Sequence, residues 1–324
     1  MTLDLAYAEC RSIAKREAKN FYYAFVALPA PRRDSICAIY AFMRRADDLS
    51  DDESLSIEAR RGNIDSWLAA WRQAASGAPS NDPVFIAVRD AVARFSIPLS
   101  LLDELVAGVT MDLEPPNIEG VPAPEAPCPV LSTPFVERAG NLDSPLYTYT
   151  TFADLYRYCY LVASVVGLVC IRIFGYTDPR AEKFAEETGI AFQLTNILRD
   201  VAEDAARNRV YLPLEDLAAH GVALDSLLRR VPGTAPNAKE RELFRSIADR
   251  AEEYYKSAQE LIRLIEPESR PALRVLVSIY HELLNRIIRA DYDVFTRRAS
   301  VPTVEKMSIL AVGLARMAWV RVFG

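Results

Sequence analysis

Apolar residues recur with a helical period along almost the whole chain. They fall at i, i+3, i+4 and i+7, and no segment alternates apolar and polar residues as a half-buried strand would. The periodic stretches lie near 34–51, 57–76, 83–96, 99–113, 151–174, 178–206, 238–265, 271–298 and 303–322. Prolines such as Pro83, Pro98 and Pro302 stand at or near the breaks between them. The pattern therefore predicts an all-α fold.

The composition is that of a globular protein with a large core. The chain has 324 residues, of which 51% are apolar. A net charge of −6 without a basic block argues against nucleic acid as a partner. Five cysteines without CxxC spacing indicate neither a disulfide framework nor a zinc site. With no signal peptide evident and no apolar run of roughly 18 residues, we expect a cytoplasmic protein.

One segment differs from the rest in composition. Residues 114–145 hold eight of the chain's 20 prolines and cannot be helical. We interpret about 114–148 as a Pro-rich loop excursion, either a surface loop or a lid over a site. Similar acidic motifs precede and follow it, so we expect a single domain over 1–324.

An acidic cluster closes the first long helical stretch, in "RRADDLSDDE" at 44–53. On a helix Tyr40, Arg44, Asp47, Asp48 and Asp51 share one face. Like charges four residues apart destabilise a helix by about 0.2–0.5 kcal/mol per pair. Either solvent or a bound cation must offset that repulsion.

A second acidic face lies in "AFQLTNILRDVAEDAARNRVYLP" at 191–213. Gln193, Asn196, Asp200 and Asp204 again follow a spacing of three or four residues. The two amides stand among apolar neighbours, where a buried polar group needs a partner. Two DxxxD clusters favour a Mg²⁺ site bridged by a diphosphate, because Mg²⁺ is commonly held by one or two carboxylates plus substrate phosphates. The alternative is two solvated helix ends.

With these motifs the chain resembles the squalene/phytoene synthase family, which joins two allylic diphosphates head to head. The resemblance runs from "NFYYAFVALP" at 20 to "DYDVFTRR" at 291, and it is most specific in "YCYLVASVVGLVCIRI" at 158 and "GIAFQLTNILRDVAEDAARNRVYLP" at 189. Ser164 stands where many members have Gly. The resemblance implies a single-domain class I isoprenoid synthase helical bundle around a central apolar cavity.

Matching positions imply roles for individual residues. The metal-binding positions, for Mg²⁺ or Mn²⁺, are Asp47, Asp48, Asp51, Asn196, Asp200, Glu203 and Asp204. The catalytic positions are Tyr158, near the reacting carbons, with Arg44, Asp47, Asp51, Asp200 and Asp204. The substrate-binding positions are Tyr40, Phe21, Gln193, Asn196, Arg209, Tyr211, Tyr280 and Arg297. Aromatic rings expected to line the cavity are Phe21, Tyr22, Phe25, Tyr40, Tyr158 and Phe192.

The implied reaction passes through a cyclopropylcarbinyl diphosphate of the presqualene or prephytoene type, in hopanoid, sterol or carotenoid biosynthesis. It ends in squalene after reduction by NADPH, or in phytoene or dehydrosqualene by proton loss. The substrate is farnesyl or geranylgeranyl diphosphate, and we slightly favour farnesyl. Three alternatives stay open: a head-to-tail prenyl diphosphate synthase or terpene cyclase, a non-catalytic relative acting as an assembly factor, and a helical interaction scaffold.

The hydrocarbon product implies transient contact with a membrane surface, at the inner face. The candidate segment is "KMSILAVGLARMAWVRVFG" at 306–324. As a helix it forms an apolar stripe of Ile309, Val312, Trp319 and Phe323, but its basic residues form no clean face. A last helix packed on the bundle is the alternative.

Overall fold

The computed structural model describes residues 1–52, 54–111, 113, 146–231 and 233–323, with only the backbone described for 19–21, 23 and 314–323. Three predictions concern residues or side chains outside the described ones. They are the role of the Phe21 side chain, the excursion up to residue 145 and the C-terminal stripe beyond Val312. The α-helices within these ranges are α1 (Leu3–Glu17), α2 (Lys19–Val26), α3 (Ala30–Ser50), α4 (Ile57–Ala75), α5 (Pro83–Phe95), α6 (Leu99–Met111), α7 (Phe152–Cys159), α8 (Val165–Phe174), α9 (Arg180–Ala205), α10 (Leu214–His220), α11 (Leu224–Leu228), α12 (Ala238–Leu264), α13 (Arg270–Arg289) and α14 (Thr303–Phe323). The all-α prediction is confirmed.

Helix α9 lies at the centre of the C-terminal half. It packs most extensively against α12, and also against α7, α8 and α13. Its side chains Ile190, Leu194, Ile197 and Leu198 are almost fully buried. Burying apolar side chains such as these contributes roughly 1.5–3 kcal/mol each, which stabilises the helix that carries the second acidic motif.

The N-terminal half is held by a separate set of contacts around α3. Helix α3 packs against α1, α5, α4 and α6. An aromatic cluster of Phe42, Trp67, Trp71 and Phe85 fills the space between α3, α4 and α5, with ring centroids 4.6–5.7 Å apart. These contacts fix the helix that ends in the first acidic motif.

A π-helical turn, Tyr160–Ser164, joins α7 to α8 and lies directly against α9. The backbones approach closely there, because a Cβ built on Gly189 of α9 would stand 2.5 Å from the Ser164 Cα. Ser164 is fully buried, and its hydroxyl donates to the Glu186 carbonyl at 2.6 Å. The serine at this position is thus accommodated by a hydrogen bond, while the glycine opposite provides the space.

The structure differs from the sequence prediction at several elements. Helices α1, α2, α10 and α11 were not predicted, nor were the two-residue parallel strands β1 (Tyr147–Thr148) and β2 (Arg209–Val210). The helix expected over 271–298 ends at Arg289, because Asp291 and Tyr292 both adopt left-handed backbone angles, with φ of 53° and 58°. Two such residues in succession cannot continue a right-handed helix.

Within the described ranges, one helical stretch is long and apolar enough to cross a membrane, Phe152–Phe174. Core helices of soluble proteins can have the same length and composition. Here the stretch packs against α6 and α9.

Two glycine-to-alanine substitutions distinguish the effect of close packing on the unfolding free energy from the effect of helix propensity. Gly189→Ala should lower the unfolding free energy by about 1–3 kcal/mol, because its methyl group meets the backbone of Ser164. Gly62→Ala, on the exposed face of α4 with nothing within 4 Å, should raise it by about 0.5–1 kcal/mol. Urea denaturation measures both changes. Equal effects in the two variants would contradict the close approach of α9 to the π-helical turn.

Candidate active site

The first acidic motif lies at the C-terminal end of α3. Asp47 and Asp48 occupy the last turn, and Asp51 follows as the C-cap residue, with its N–H donating to the Asp47 carbonyl at 2.8 Å. The last turn holds no basic residue. A helix C-terminus carries partial negative charge, so the dipole adds to the mutual repulsion of these carboxylates. Arg44, one turn earlier, offsets part of it through an ion pair with Asp48 at 2.5 Å.

Two contacts hold the end of α3 in place. The buried Ser50 hydroxyl donates to the Val109 carbonyl of α6 at 3.3 Å. Arg60 of α4 donates to the Ser50 carbonyl at 3.2 Å and to the Leu55 carbonyl at 3.1 Å. The acidic end of α3 is therefore fixed to two neighbouring helices.

The second acidic motif lies in the C-terminal half of α9, with Glu203 and Asp204 in a last turn that again lacks a basic residue. Asp200, one turn earlier, accepts from Arg199 Nε at 2.8 Å and from Arg298 Nε at 2.9 Å. Arg298 also reaches Glu203 at 3.3 Å. Sequence reasoning missed both arginines: Arg199 lies off the acidic face, and Arg298 stands at the end of the helix predicted over 271–298, beyond the observed end of α13 at Arg289.

The amides predicted for substrate and metal binding lie together on α9. Asn196 Nδ2 donates to Gln193 Oε1 at 3.3 Å. The Oδ1 atom of Asn196 is buried and has no hydrogen-bond partner among the described residues. An unsatisfied buried acceptor costs about 1–3 kcal/mol, which a donor or a cation at this point would remove.

Tyr280 of α13 lies beside the second motif. Its ring stacks on Phe192 of α9 at 4.4 Å between centroids. Burial raises the pKa of Tyr280 to about 12, and the nearby Arg199 charge lowers it in part.

Three tyrosine rings stack beside the second motif. Tyr158 and Tyr211 lie 4.9 Å apart at 19°, and Tyr149 lies 5.5 Å from Tyr158 and 6.2 Å from Tyr211. All three are buried. Tyr149, which sequence reasoning missed, follows β1, and Tyr211 follows β2, so the strand pair sets this stack.

Arg209 joins the stack to the acidic end of α9. Its guanidinium lies 5.4 Å from the Tyr147 ring centroid and donates to the Tyr211 hydroxyl at 3.3 Å. Asp204, Arg209 and Tyr211 line one small pocket. The predicted tail of the second motif is thus brought together with its aspartate.

Other predicted residues lie nearer the surface. Asp48 and Asp51 are exposed, and Asp47 is half-buried. Arg297 is exposed, and it is the adjacent Arg298 that contacts Asp200. Of the remaining predicted cavity rings, Phe25 is buried against Tyr40 at 6.2 Å, whereas Tyr22 is half-buried.

The donor set fits a hard divalent cation. Carboxylate and amide oxygens are the ligands that Mg²⁺ prefers, and Asn196 Oδ1 provides a buried oxygen without a protein donor. Within the ranges that the structure describes, no three acidic, His or Cys side chains converge to hold a metal by themselves. Each motif therefore offers a few oxygens rather than a complete cage, which suits an ion that also binds substrate phosphates.

Comparison with known proteins agrees with this geometry. The squalene/phytoene synthase family model matches residues 14–305. A 15-cis-phytoene synthase from Synechococcus elongatus is 32% identical over 97% of this chain and 94% of its own length. A phytoene synthase from Mycobacterium tuberculosis is 31% identical, with 97% and 92% covered.

Solved structures lead to the same family. A dehydrosqualene synthase in complex with ligand has a TM-score of 0.78 and 28% identity, covering 98% of both chains. A squalene synthase from Alicyclobacillus acidocaldarius has a TM-score of 0.73 and 24% identity, covering 90% of this chain and 96% of its own. This likeness supports the fold. The predicted family is confirmed: this chain belongs to the squalene/phytoene synthase family.

Proposed function

We propose that this chain catalyses the Mg²⁺-dependent head-to-head condensation of two geranylgeranyl diphosphate molecules to phytoene. Membership of the family makes it a prenyltransferase and favours head-to-head condensation over the head-to-tail alternative. The observation that carries the proposal is the pair of acidic helix ends on α3 and α9. Neither end has a basic residue in its last turn, so both are suited to a bound cation.

The choice of substrate rests on the relatives. Those with 31–32% identity are named phytoene synthases, and phytoene consists of two geranylgeranyl units. This supports the twenty-carbon substrate over the farnesyl diphosphate that the sequence slightly favoured. The structural likeness to a dehydrosqualene synthase supports the fifteen-carbon substrate as the second candidate. Phytoene forms by proton loss, so the proposal includes no NADPH.

Metal binding is assigned to the oxygens at the two helix ends. The residues that would hold Mg²⁺ are Asp47, Asp48 and Asp51 on the α3 side and Asn196, Asp200, Glu203 and Asp204 on the α9 side. A bound Mg²⁺ supplies positive charge that makes diphosphate a better leaving group. Arg44 and Arg209 add positive charge beside the two motifs and would bind the phosphate oxygens.

The aromatic rings are assigned to the hydrocarbon part of the substrate. Departure of diphosphate leaves an allylic cation, which the π-face of a ring stabilises by roughly 0.5–2 kcal/mol. Tyr158 and Tyr211, both buried, offer such faces and exclude water. Burial raises the pKa of Tyr40 and of Tyr280 to about 12, so neither hydroxyl ionises near neutral pH.

Product analysis tests the proposed reaction. The full chain is incubated with each diphosphate separately, with Mg²⁺ or EDTA and with or without NADPH, and the products are separated by chromatography. We expect phytoene from geranylgeranyl diphosphate with Mg²⁺, and no effect of NADPH. Turnover of farnesyl diphosphate alone would overturn the substrate assignment, and equal turnover in EDTA would overturn the role of the metal.

Removing one carboxylate charge from either motif should stop turnover. Asp47→Asn and Asp200→Asn keep the side-chain shape but remove a charged metal ligand, so we expect at least about a hundredfold loss. Mg²⁺ with diphosphate should raise the melting temperature of the wild type and not of these variants. Asp65→Asn, on the exposed face of α4, is the control. A ligand-induced shift that survives in the Asp47, Asp200 double variant would contradict the metal assignment.

The hydroxyl of Tyr158 should matter for chemistry more than for binding. Tyr158→Phe should lower kcat about tenfold or more, with little change in KM. Tyr156→Phe is the matched control on the same helix, since its hydroxyl donates to Glu186 at 2.6 Å, and it should cost only about 0.5–1.5 kcal/mol of stability. Steady-state kinetics and thermal melts of both variants distinguish the roles. Normal kcat in a less stable Tyr158→Phe would assign its hydroxyl to structure alone.

A further inference from the structure

We propose that Arg298 is an internal counterion of the second acidic motif, which leaves Asp200 when a metal ion binds there. The departing guanidinium then binds the diphosphate, so metal and diphosphate bind cooperatively. This inference rests on the proposed function and adds a specific exchange of partners to it.

Two arginines contact the carboxylate of Asp200 in this structure. Its Oδ1 accepts from Arg199 Nε at 2.8 Å and from Arg298 Nε at 2.9 Å, and Arg298 Nη2 lies 2.7 Å from the same oxygen. Its Oδ2 accepts from Arg199 Nη2. A carboxylate offers about four lone-pair sites, two on each oxygen, so the two arginines use both sites of Oδ1. A metal ion can bind Oδ1 only after one arginine has moved.

The two arginines differ in how firmly they are held. Arg199 precedes Asp200 on α9, and its side chain is only 18% exposed. Arg298 lies outside any helix, between α13 and α14, and its side chain is 50% exposed. Arg298 can therefore rotate into solvent at little cost, whereas Arg199 is packed against the core. We assign the movement to Arg298.

The segment that carries Arg298 is anchored at both ends. Val294 and Val301 are buried, at 2% and 4% exposure, while the residues between them are more exposed. The left-handed pair Asp291 and Tyr292 turns the chain back from the end of α13, which brings this segment over α9. Arg298 thus stays near the motif after it releases Asp200.

Release of Arg298 provides a ligand for the second charged partner. A free guanidinium is a planar fork that suits phosphate oxygens, and a diphosphate arriving with the metal offers them. The exchange converts one arginine–carboxylate pair into an arginine–phosphate pair and a metal–carboxylate pair, so no charge is left uncompensated. Because metal binding frees the guanidinium that diphosphate uses, each ligand should tighten the other.

Arg274 of α13 provides a control. It carries the same charge and is exposed, and the contacts to Asp200 and Glu203 come from Arg298. Arg274→Ala and Arg298→Ala therefore change the net charge of the protein equally. Only Arg298→Ala removes the group that competes with the metal.

Calorimetric titration of the full chain with Mn²⁺, with and without inorganic diphosphate, measures the exchange. Mn²⁺ alone should bind at least about fivefold more tightly to Arg298→Ala than to the wild type. Diphosphate should still increase the Mn²⁺ affinity of this variant, but by a factor at least about fivefold smaller than in the wild type. Arg274→Ala should match the wild type in both quantities. Thermal melts establish that each variant is folded, and Arg298→Gln replaces Arg298→Ala if the latter does not fold.

Two results would overturn the inference. Equal changes in Arg274→Ala and Arg298→Ala would reduce the effect to net charge and leave the proposed function intact. A wild-type chain that binds no Mn²⁺ even with diphosphate would overturn the proposed function, and this inference with it.

Discussion

Carboxylates at the C-terminal ends of two helices are the constraint on which the site depends. The last turns of α3 and α9 contain acidic residues and no basic ones, against the preference set by the helix dipole. Mutual repulsion adds to this cost. Arg44 and Arg298 offset part of it in the structure. A fold that maintains such helix ends is suited to bind concentrated positive charge, and in the proposed function Mg²⁺ provides that charge.

The packing around α9 keeps this unfavourable arrangement in place. Helix α9 is buried along most of its length, so its acidic end cannot shift to relieve repulsion without disrupting the core. The close approach of Gly189 to Ser164 fixes α9 against the helix that carries Tyr158. The same packing that supports the charged motif therefore also sets the distance between that motif and the aromatic stack. The contacts that stabilise the fold are therefore also the contacts that set the geometry of the site.

Much of the fold could be predicted from the helical period, and the exceptions have physical reasons. Helices α10 and α11 have seven and five residues, too few for a period to appear. The buried face of α1 includes Ala6 and Ala14, whose small side chains give a weak apolar signal. The expected end of α13 was too late because buried Tyr292 and Val294 continue the apolar spacing beyond the helix.

The residues of the site can likewise be divided into those that the sequence pattern predicts and those that it does not. Asp47, Asp51, Asp200 and Asp204 lie on helices, where a spacing of three or four residues indicates a shared face. Tyr149 reaches the site through a two-residue strand pair, which leaves no local pattern in the sequence. Arg298 reaches it from an irregular segment whose apolar spacing wrongly predicted a continued helix. Arg297 and Arg298 are indistinguishable by sequence, and only the backbone of this segment decides which of them faces Asp200.

The central claim is that the acidic ends of α3 and α9 form one metal–diphosphate site. Anomalous scattering from crystals grown with Mn²⁺ and a non-hydrolysable prenyl diphosphate analogue tests it most directly. The account predicts Mn²⁺ peaks at both helix ends, bridged by one diphosphate, with Asn196 Oδ1 among the ligands. Peaks at one helix only, or a diphosphate bound away from both motifs, would contradict it.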